Sequence, residues 1–160
     1  RLAAPMHDVG KIGIPDAILT KPGALTEDER KVMNYHARIG YEILHVEQRS
    51  PLTDLAAEIA ISHHERWDGS GYPNGLKGEE IPLSGRIVAL CDVYDALRSP
   101  RPYKQAWSAE RAQAHIRDNA GGHFDPHLVQ VMSSMFAELE ALQLTMADRA
   151  EPFTLSPQHD

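Results

Sequence analysis

The sequence predicts an all-α domain, a helical bundle carrying one long glycine-rich loop and one central buried helix. Three observations predict it. Apolar residues recur at helical spacing along nearly the whole chain, helix-start signals precede most of those stretches, and no stretch of any length alternates as a strand would. There is no internal repeat. At 160 residues, 42% apolar and 24% charged, the chain fits one ordinary globular domain with a real core.

Taken in order, Leu2, Ala3 and Met6 read as the last turn of a helix whose earlier turns lie upstream. Thr26 with Glu29 forms a capping box that opens a helix running to about Val46. Its apolar stripe is Val32, His36, Ile39 and Ile43, so a histidine stands at a core position. Ser50-Pro51 is an N-cap and N1 pair for a second helix, whose stripe Leu52, Leu55, Ile59 lands next on His63. A polar ring pointing into a core needs a partner there. The segment from about Glu65 to Pro82 carries Trp67-Asp68-Gly69-Ser70-Gly71-Tyr72-Pro73-Asn74-Gly75 and reads as a loop of functional length. Arg86 to Leu97 is apolar on nearly every side, which predicts the buried central helix, interrupted by Asp92 and Asp95. Ser108 caps a further helix ending at Gly121-Gly122. Asp125-Pro126 opens a last one through Val129, Met132, Phe136 and Leu139. Residues 1–144 thus form the domain, and residues 145–160 form a loosely ordered tail without periodicity.

The formal charge of −7 lacks the basic field that general nucleic-acid binding needs, while leaving room for a small anionic ligand in a local basic pocket. No apolar run approaches the roughly 20 residues needed for membrane insertion, and the N-terminus lacks a secretory apolar centre. The lone cysteine, Cys91, excludes an internal disulfide, so the expected setting is cytoplasmic.

Nine histidines are many for this length, and their placement matters. His7-Asp8, His36, His63-His64 and Asp92 offer six metal-type ligands from four separate places. Any one of them alone reads as a core or surface residue. Together, a histidine and an aspartate on buried helices beside a His pair and a His-Asp pair point to metal. Imidazole with carboxylate suits Fe, Mn, Zn or Ni better than Mg or Ca, and the absence of cysteine argues against a structural zinc site. Six ligands exceed what one ion takes while leaving room for substrate. A pair of ions sharing a carboxylate fits the number better, a pair that would hold a phosphate and acidify a water between them. His45, His115, His123, His127 and His159 lack such company and read as surface or local hydrogen-bonding residues.

The run His7-Asp8-Val9-Gly10-Lys11-Ile12-Gly13-Ile14-Pro15-Asp16 resembles the HD phosphohydrolase superfamily. His63-His64-Glu65-Arg66-Trp67-Asp68-Gly69-Ser70-Gly71-Tyr72-Pro73 narrows the resemblance to its HD-GYP branch. Asp92-Val93-Tyr94-Asp95-Ala96-Leu97, Arg101-Pro102-Tyr103-Lys104 and Gly122-His123-Phe124-Asp125-Pro126 do the same, in order over about residues 2 to 140. The resemblance implies an HD-domain-like helical bundle with two or three transition-metal ions, commonly iron or manganese. It implies hydrolysis of the bacterial second messenger cyclic di-GMP to linear pGpG or on to GMP, with another cyclic dinucleotide as the alternative substrate. By position, His7, Asp8, His36, His63, His64 and Asp92 look like the metal ligands, Asp8 being the bridging one. Lys11 looks like a phosphate contact acting with Asp8 at the chemistry, and Arg101 and Lys104 like the grip on the substrate's phosphates. Asp68, Gly69, Gly71, Tyr72, Pro73 and Asp95 are supporting or loop residues, with Asp68 and Asp95 bracing the loop or a ligand histidine.

In this family the Gly-Tyr-Pro loop is also a proposed contact for diguanylate cyclase domains, so a catalytically inert regulatory module is the rival reading. Receiver or sensor domains upstream, as in two-component response regulators, and a homodimer are compatible with the family. Two departures stand out. The family's site also takes a glutamate and a histidine from an upstream helix, so one metal position is expected to be incomplete in this chain. Arg98 replaces the threonine usual after Asp95-Ala96-Leu97, adding a cation near the substrate grip or projecting to solvent.

Overall fold

The computed structural model describes residues 2–47, 50–100 and 105–147. It is helical, and no strand occurs among the described residues. The order is 3-10 turns at Ala4–Met6 and Val9–Gly13, then α1 (Asp16–Leu19), α2 (Glu27–Asn34), α3 (His36–Leu44) and α4 (Pro51–Ser62). A 3-10 turn at Gly78–Glu80 leads to α5 (Leu83–Arg98), α6 (Ala109–Asp118), α7 (Pro126–Ser134) and α8 (Phe136–Ala147). The capping signals act as expected. Thr26 and Glu29 close a reciprocal box on α2, Ser50 caps α4, Ser108 caps α6 and Asp125 caps α7.

Two expected single helices are broken. The helix expected from Thr26 to Val46 divides at Tyr35, whose N–H turns back to the Val32 carbonyl. The last helix likewise divides at Met135, whose N–H bonds the Met132 carbonyl. Both breaks are 3-10-type closures, which need neither glycine nor proline and leave no mark in the periodicity. The C-terminal helix runs to Ala147, past the expected boundary at 144, and residues 148–160 lie outside the described residues. Helix α6 stops at Asp118, short of Gly121. The expected final helical turn at the start is instead the 3-10 turn Ala4–Met6, with Ala3 buried and Leu2 exposed.

The packed faces also differ from the expected stripes. Val32, Ile43, Leu52 and Leu55 are about 40% exposed, whereas Ala37, Ala56 and Ala60 are fully buried. Helix α3 lies along α4 through small residues, and a close approach of backbones selects them. A Cβ on Gly10 would sit 2.0 Å from the His36 carbonyl oxygen and 2.3 Å from the Gly40 nitrogen, so only glycine lets the Val9–Gly13 turn rest on α3. That contact brings the His7-Asp8 segment against His36.

Helix α5 is central but not buried all round. Gly85, Ala89, Leu90, Tyr94 and Leu97 are buried, while Leu83, Ile87, Cys91 and Asp95 form an exposed stripe. One apolar cluster joins α5 to α6, α7 and α8 through Leu90, Tyr94, Ile116, Phe124, Val129 and Phe136. A smaller one joins Ala3, Ala56 and Ile59 with Met6, Leu44 and Val88. Fully burying an apolar side chain of this size contributes roughly 1.5–3 kcal/mol, so α5 is fixed from two sides. Arg98 does not simply project to solvent, and the expected grip residues beside it lie outside the described residues. Its guanidinium donates to the Trp107 carbonyl (2.6 Å) and to Glu140 (2.7 Å), tying α5 to α8.

Candidate metal centre

The end of α4, the start of α3 and the turn after Met6 meet at one place, and Asp8 stands in its middle. Its Oδ1 lies 3.4 Å from His36 Nε2 and 3.9 Å from His63 Nε2. Its Oδ2 lies 3.4 Å from His7 Nε2 and 2.6 Å from Lys11 Nζ. His64 completes the first side, its Nε2 3.1 Å from that of His36. One donor atom each from Asp8, His36, His63 and His64 lies within 4.8 Å of the others. Asp92 completes the second side, its Oδ1 3.7 Å from His7 Nε2. All six expected ligands are therefore brought together, divided by the two oxygens of one carboxylate.

The backbone orients three of the histidines. His7 Nδ1 meets the Ala4 carbonyl at 2.7 Å, His36 Nδ1 the Met33 carbonyl at 2.8 Å, and His63 Nδ1 the carbonyls of Ile59 and Ala60 at 3.1 and 3.0 Å. A carbonyl only accepts, so Nδ1 carries the proton in all three. Nε2 of His36 and His63 then offers a lone pair to the site, while Nε2 of His7 faces the carboxylates of Asp8 and Asp92 and holds a proton against them when no cation is bound. His63 Nε2 is buried with no hydrogen-bond partner. A buried lone pair without a donor is costly unless a cation fills the place, and beside it His36 and His64 turn their Nε2 atoms towards each other at 3.1 Å. The donor set fits a transition-metal ion.

The electrostatics agree. Burial, reinforced by the neighbouring His7, holds His63 down at about 4, and burial with His63 and His36 beside it holds His64 down at about 2. His36 is lowered chiefly by burial. These rings stay neutral, the form that binds metal. Burial pushes the Asp8 carboxyl up, but hydrogen bonds from His7 and Lys11 and their charge more than offset it, leaving the group well below the usual carboxylate range. His7 is raised, mainly through its bond to Asp8 and against the effect of burial.

The glycine-rich loop is tightly held. Tyr72 stacks on His64, with ring centroids 4.7 Å apart, and the Tyr72–Pro73 peptide is cis. Gly69 has φ +85°, while Gly71 is required by crowding: a Cβ there would lie 2.4 Å from the Arg66 nitrogen. Asp68 accepts from the Ser70 N–H (2.9 Å) and hydroxyl (2.6 Å), so it braces the loop and not a ligand histidine. Asp95 is exposed, 3.5 Å from the Ser99 hydroxyl, with no contact to a candidate ligand histidine found among the described residues. Arg101 and Lys104 lie outside the described residues.

The main support of the loop is a residue the sequence did not single out. Glu65, 2% exposed, accepts from the N–H groups of Asn74 (2.7 Å) and Leu76 (3.0 Å). Its position directly after the His pair was the available signal. The Trp67 and Asp68 N–H groups donate to the carbonyls of His123 and Gly122, and Arg86 pairs with buried Asp125 at 2.8 Å while lying over Trp67. Thus Gly122-His123-Phe124-Asp125 anchors the loop from behind. His45 stacks on Tyr41, and His115 packs against Trp107 beside Asn119, as local roles require.

Residues 1–128 match the HD domain family. Over 141 residues the chain is 54% identical to the cyclic di-GMP phosphodiesterase response regulator RpfG of Xanthomonas campestris, covering 88% of this chain and 37% of that protein. It is 47% identical over 146 residues to 3'3'-cGAMP-specific phosphodiesterase 2 of Vibrio cholerae, covering 91% and 28%. The chain spans about a third of the length of these relatives. A solved cyclic GMP-AMP phosphodiesterase of V. cholerae has the same fold, with a TM-score of 0.58 at 23% identity over 81% of this chain and 36% of that one.

Proposed function

The chain belongs to the HD domain family, in its HD-GYP branch, and from that premise we propose that it hydrolyses cyclic di-GMP with bound transition-metal ions. The observation that carries the reading is Asp8, whose two oxygens face two separate sets of donors. His36, His63, His64 and Asp8 Oδ1 would hold one ion, and His7, Asp92 and Asp8 Oδ2 the other. Iron or manganese is the expected metal, and zinc or nickel also suits the donors. When bound, the ions would neutralise a phosphodiester and acidify a water.

The protein's own groups do the rest. Nδ1–carbonyl bonds keep the imidazoles aimed inward, which limits reorganisation during turnover. Lys11, part-exposed beside Asp8, is placed to meet a phosphate oxygen. Arg101 and Lys104 keep the role of phosphate grips that the motif gives them. Attack by water in line at phosphorus expels a ribose oxygen and yields linear pGpG, and a second cleavage yields GMP. Tyr72, turned onto His64, lies where it borders the substrate. Docking of a diguanylate cyclase domain would then use the exposed rim of the loop at Asn74 and Gly75. No helix among the described residues is long and apolar enough to cross a membrane, and the single cysteine supports a cytoplasmic setting.

The names of the cGAMP-specific relatives favour a second substrate, 3'3'-cGAMP. The test is metal analysis and product analysis with both dinucleotides, on this chain and on a longer form that includes preceding sequence. Bound transition metal with conversion to pGpG or GMP is expected. A longer form that holds no metal and leaves both dinucleotides intact would remove the reading.

A further inference from the structure

Next to the metal cluster lies a second recess, of about 280 Å³, between the α2–α3 junction and the Tyr72–Pro73 turn. It is lined by Lys31, Asn34, Tyr35, Arg38, Tyr72 and Pro73. Tyr72 is its common wall with the cluster, since the same ring stacks on His64 and lies 6.4 Å from His36. The break between α2 and α3 falls at Tyr35, immediately before the ligand His36, and leaves the Tyr35 ring 60% exposed.

The lining is suited to a nucleotide. A nucleobase needs a flat apolar surface and a donor–acceptor pair on its edge, and its phosphate needs a cation. Tyr35 and Tyr72 supply rings, and the Asn34 amide supplies both a donor and an acceptor. Arg38 is exposed, and no acidic partner for it is found among the described residues. Lys31 is turned to Glu27 and Asp28 at 3.5 and 3.2 Å, which leaves Arg38 as the cation free to meet an anion. In a chain of net charge −7 the lining itself holds two cations and no carboxylate. The volume falls just below the roughly 300–1,000 Å³ of pockets that enclose a drug-sized ligand, so it accommodates one nucleotide half, not two.

We infer that this recess is the specificity subsite for the half of a cyclic dinucleotide whose phosphodiester is not being cleaved. Tyr35 stacks on its base, Asn34 reads the base edge and Arg38 holds the second phosphate. The inference rests on the cyclic dinucleotide reading above and adds residues that the sequence motifs do not include.

The test compares cyclic di-GMP with bis(p-nitrophenyl) phosphate, a phosphodiester without bases or a second phosphate, for the parent and for Tyr35→Ala, Asn34→Ala and Arg38→Ala. The ratio of kcat/KM values, dinucleotide over small diester, is expected to fall roughly 10-fold or more in Tyr35→Ala and Arg38→Ala, and Tyr35→Phe is expected to restore it. Asn34→Ala is expected to narrow the preference between cyclic di-GMP and cyclic di-AMP. An unchanged ratio, or a Tyr35→Phe variant as impaired as Tyr35→Ala, would overturn the inference. If the parent cleaves neither diester, the phosphodiesterase reading has failed, and the subsite is judged by binding of fluorescently labelled cyclic di-GMP. Binding by the parent that weakens about 10-fold in Arg38→Ala supports it; equal binding, or none by the parent, overturns it.

Discussion

Asp8 is the residue on which the site turns, because both of its oxygens are used and in different directions. Asparagine at this position keeps the shape but offers one neutral oxygen and an amide that would face imidazole or Lys11. Asp8→Asn is therefore expected to lose bound metal and at least roughly 100-fold in kcat/KM, read by metal stoichiometry and product formation. Full activity with full metal content would contradict the bridging role. That these side chains gather at one place was legible in the sequence, since a histidine on an apolar stripe and a His-Asp pair are anomalies that a shared site explains. Glu65 was not legible. A glutamate at the head of a polar loop looks solvated, and only the return of the chain at Asn74 and Leu76 buries it.

Among the elements, existence was readable and their limits and faces were not. The stripes counted large residues as core, but α3 and α4 approach through Ala37, Gly40, Ala56 and Ala60, which leaves Leu52 and Leu55 outside. Hydrophobic period finds a helix readily, whereas close packing selects small residues that carry little hydrophobic signal. The breaks at Tyr35 and Met135 escaped for a similar reason, as neither needs a breaking residue. The joint of α5 with α7 gives a quantitative expectation. Asp125 caps α7 through the His127 N–H and pairs with Arg86, both side chains being largely buried. Asp125→Ala leaves Arg86 buried without its partner and is expected to cost about 3–5 kcal/mol, measured by urea unfolding. A loss under about 1 kcal/mol would show that the pair is not a structural joint.

For the molecule as a whole, the buried histidines link folding to pH. His63, His64 and His123 are held down at about 4, about 2 and about 4, chiefly by burial. Unfolding returns each to about 6.5, so the unfolded chain binds more protons between those values, and stability falls as pH drops from about 6.5. His7, which is raised, acts oppositely: its contribution is complete below about 6.5 and is lost as pH rises through its folded value. His36 is lowered by burial as well, so four outweigh one, and the metal-free chain is expected to show a lower urea midpoint at about pH 5 than at about pH 7.5. His123→Gln removes the one of these four that lies away from the metal cluster and should make that decline shallower. A midpoint that is flat or rises on acidification would contradict this account. The all-α class and the placement of the site between His7 and Asp92 were legible at this scale. The two-sided packing of α5, with one stripe left exposed, was not, because a run apolar on every side gives no direction to its burial.

The buried carboxylate of Glu65 has a consequence in time as well as in place. The amide hydrogens of Asn74 and Leu76 end on it, within a loop whose exposed neighbours would trade hydrogen for deuterium almost freely. Those two amides exchange only when the loop lifts from the domain, so they should be protected, and Glu65→Gln should speed both together. Their exchange rate measures how often the wall that carries Tyr72 opens over the metal ligands.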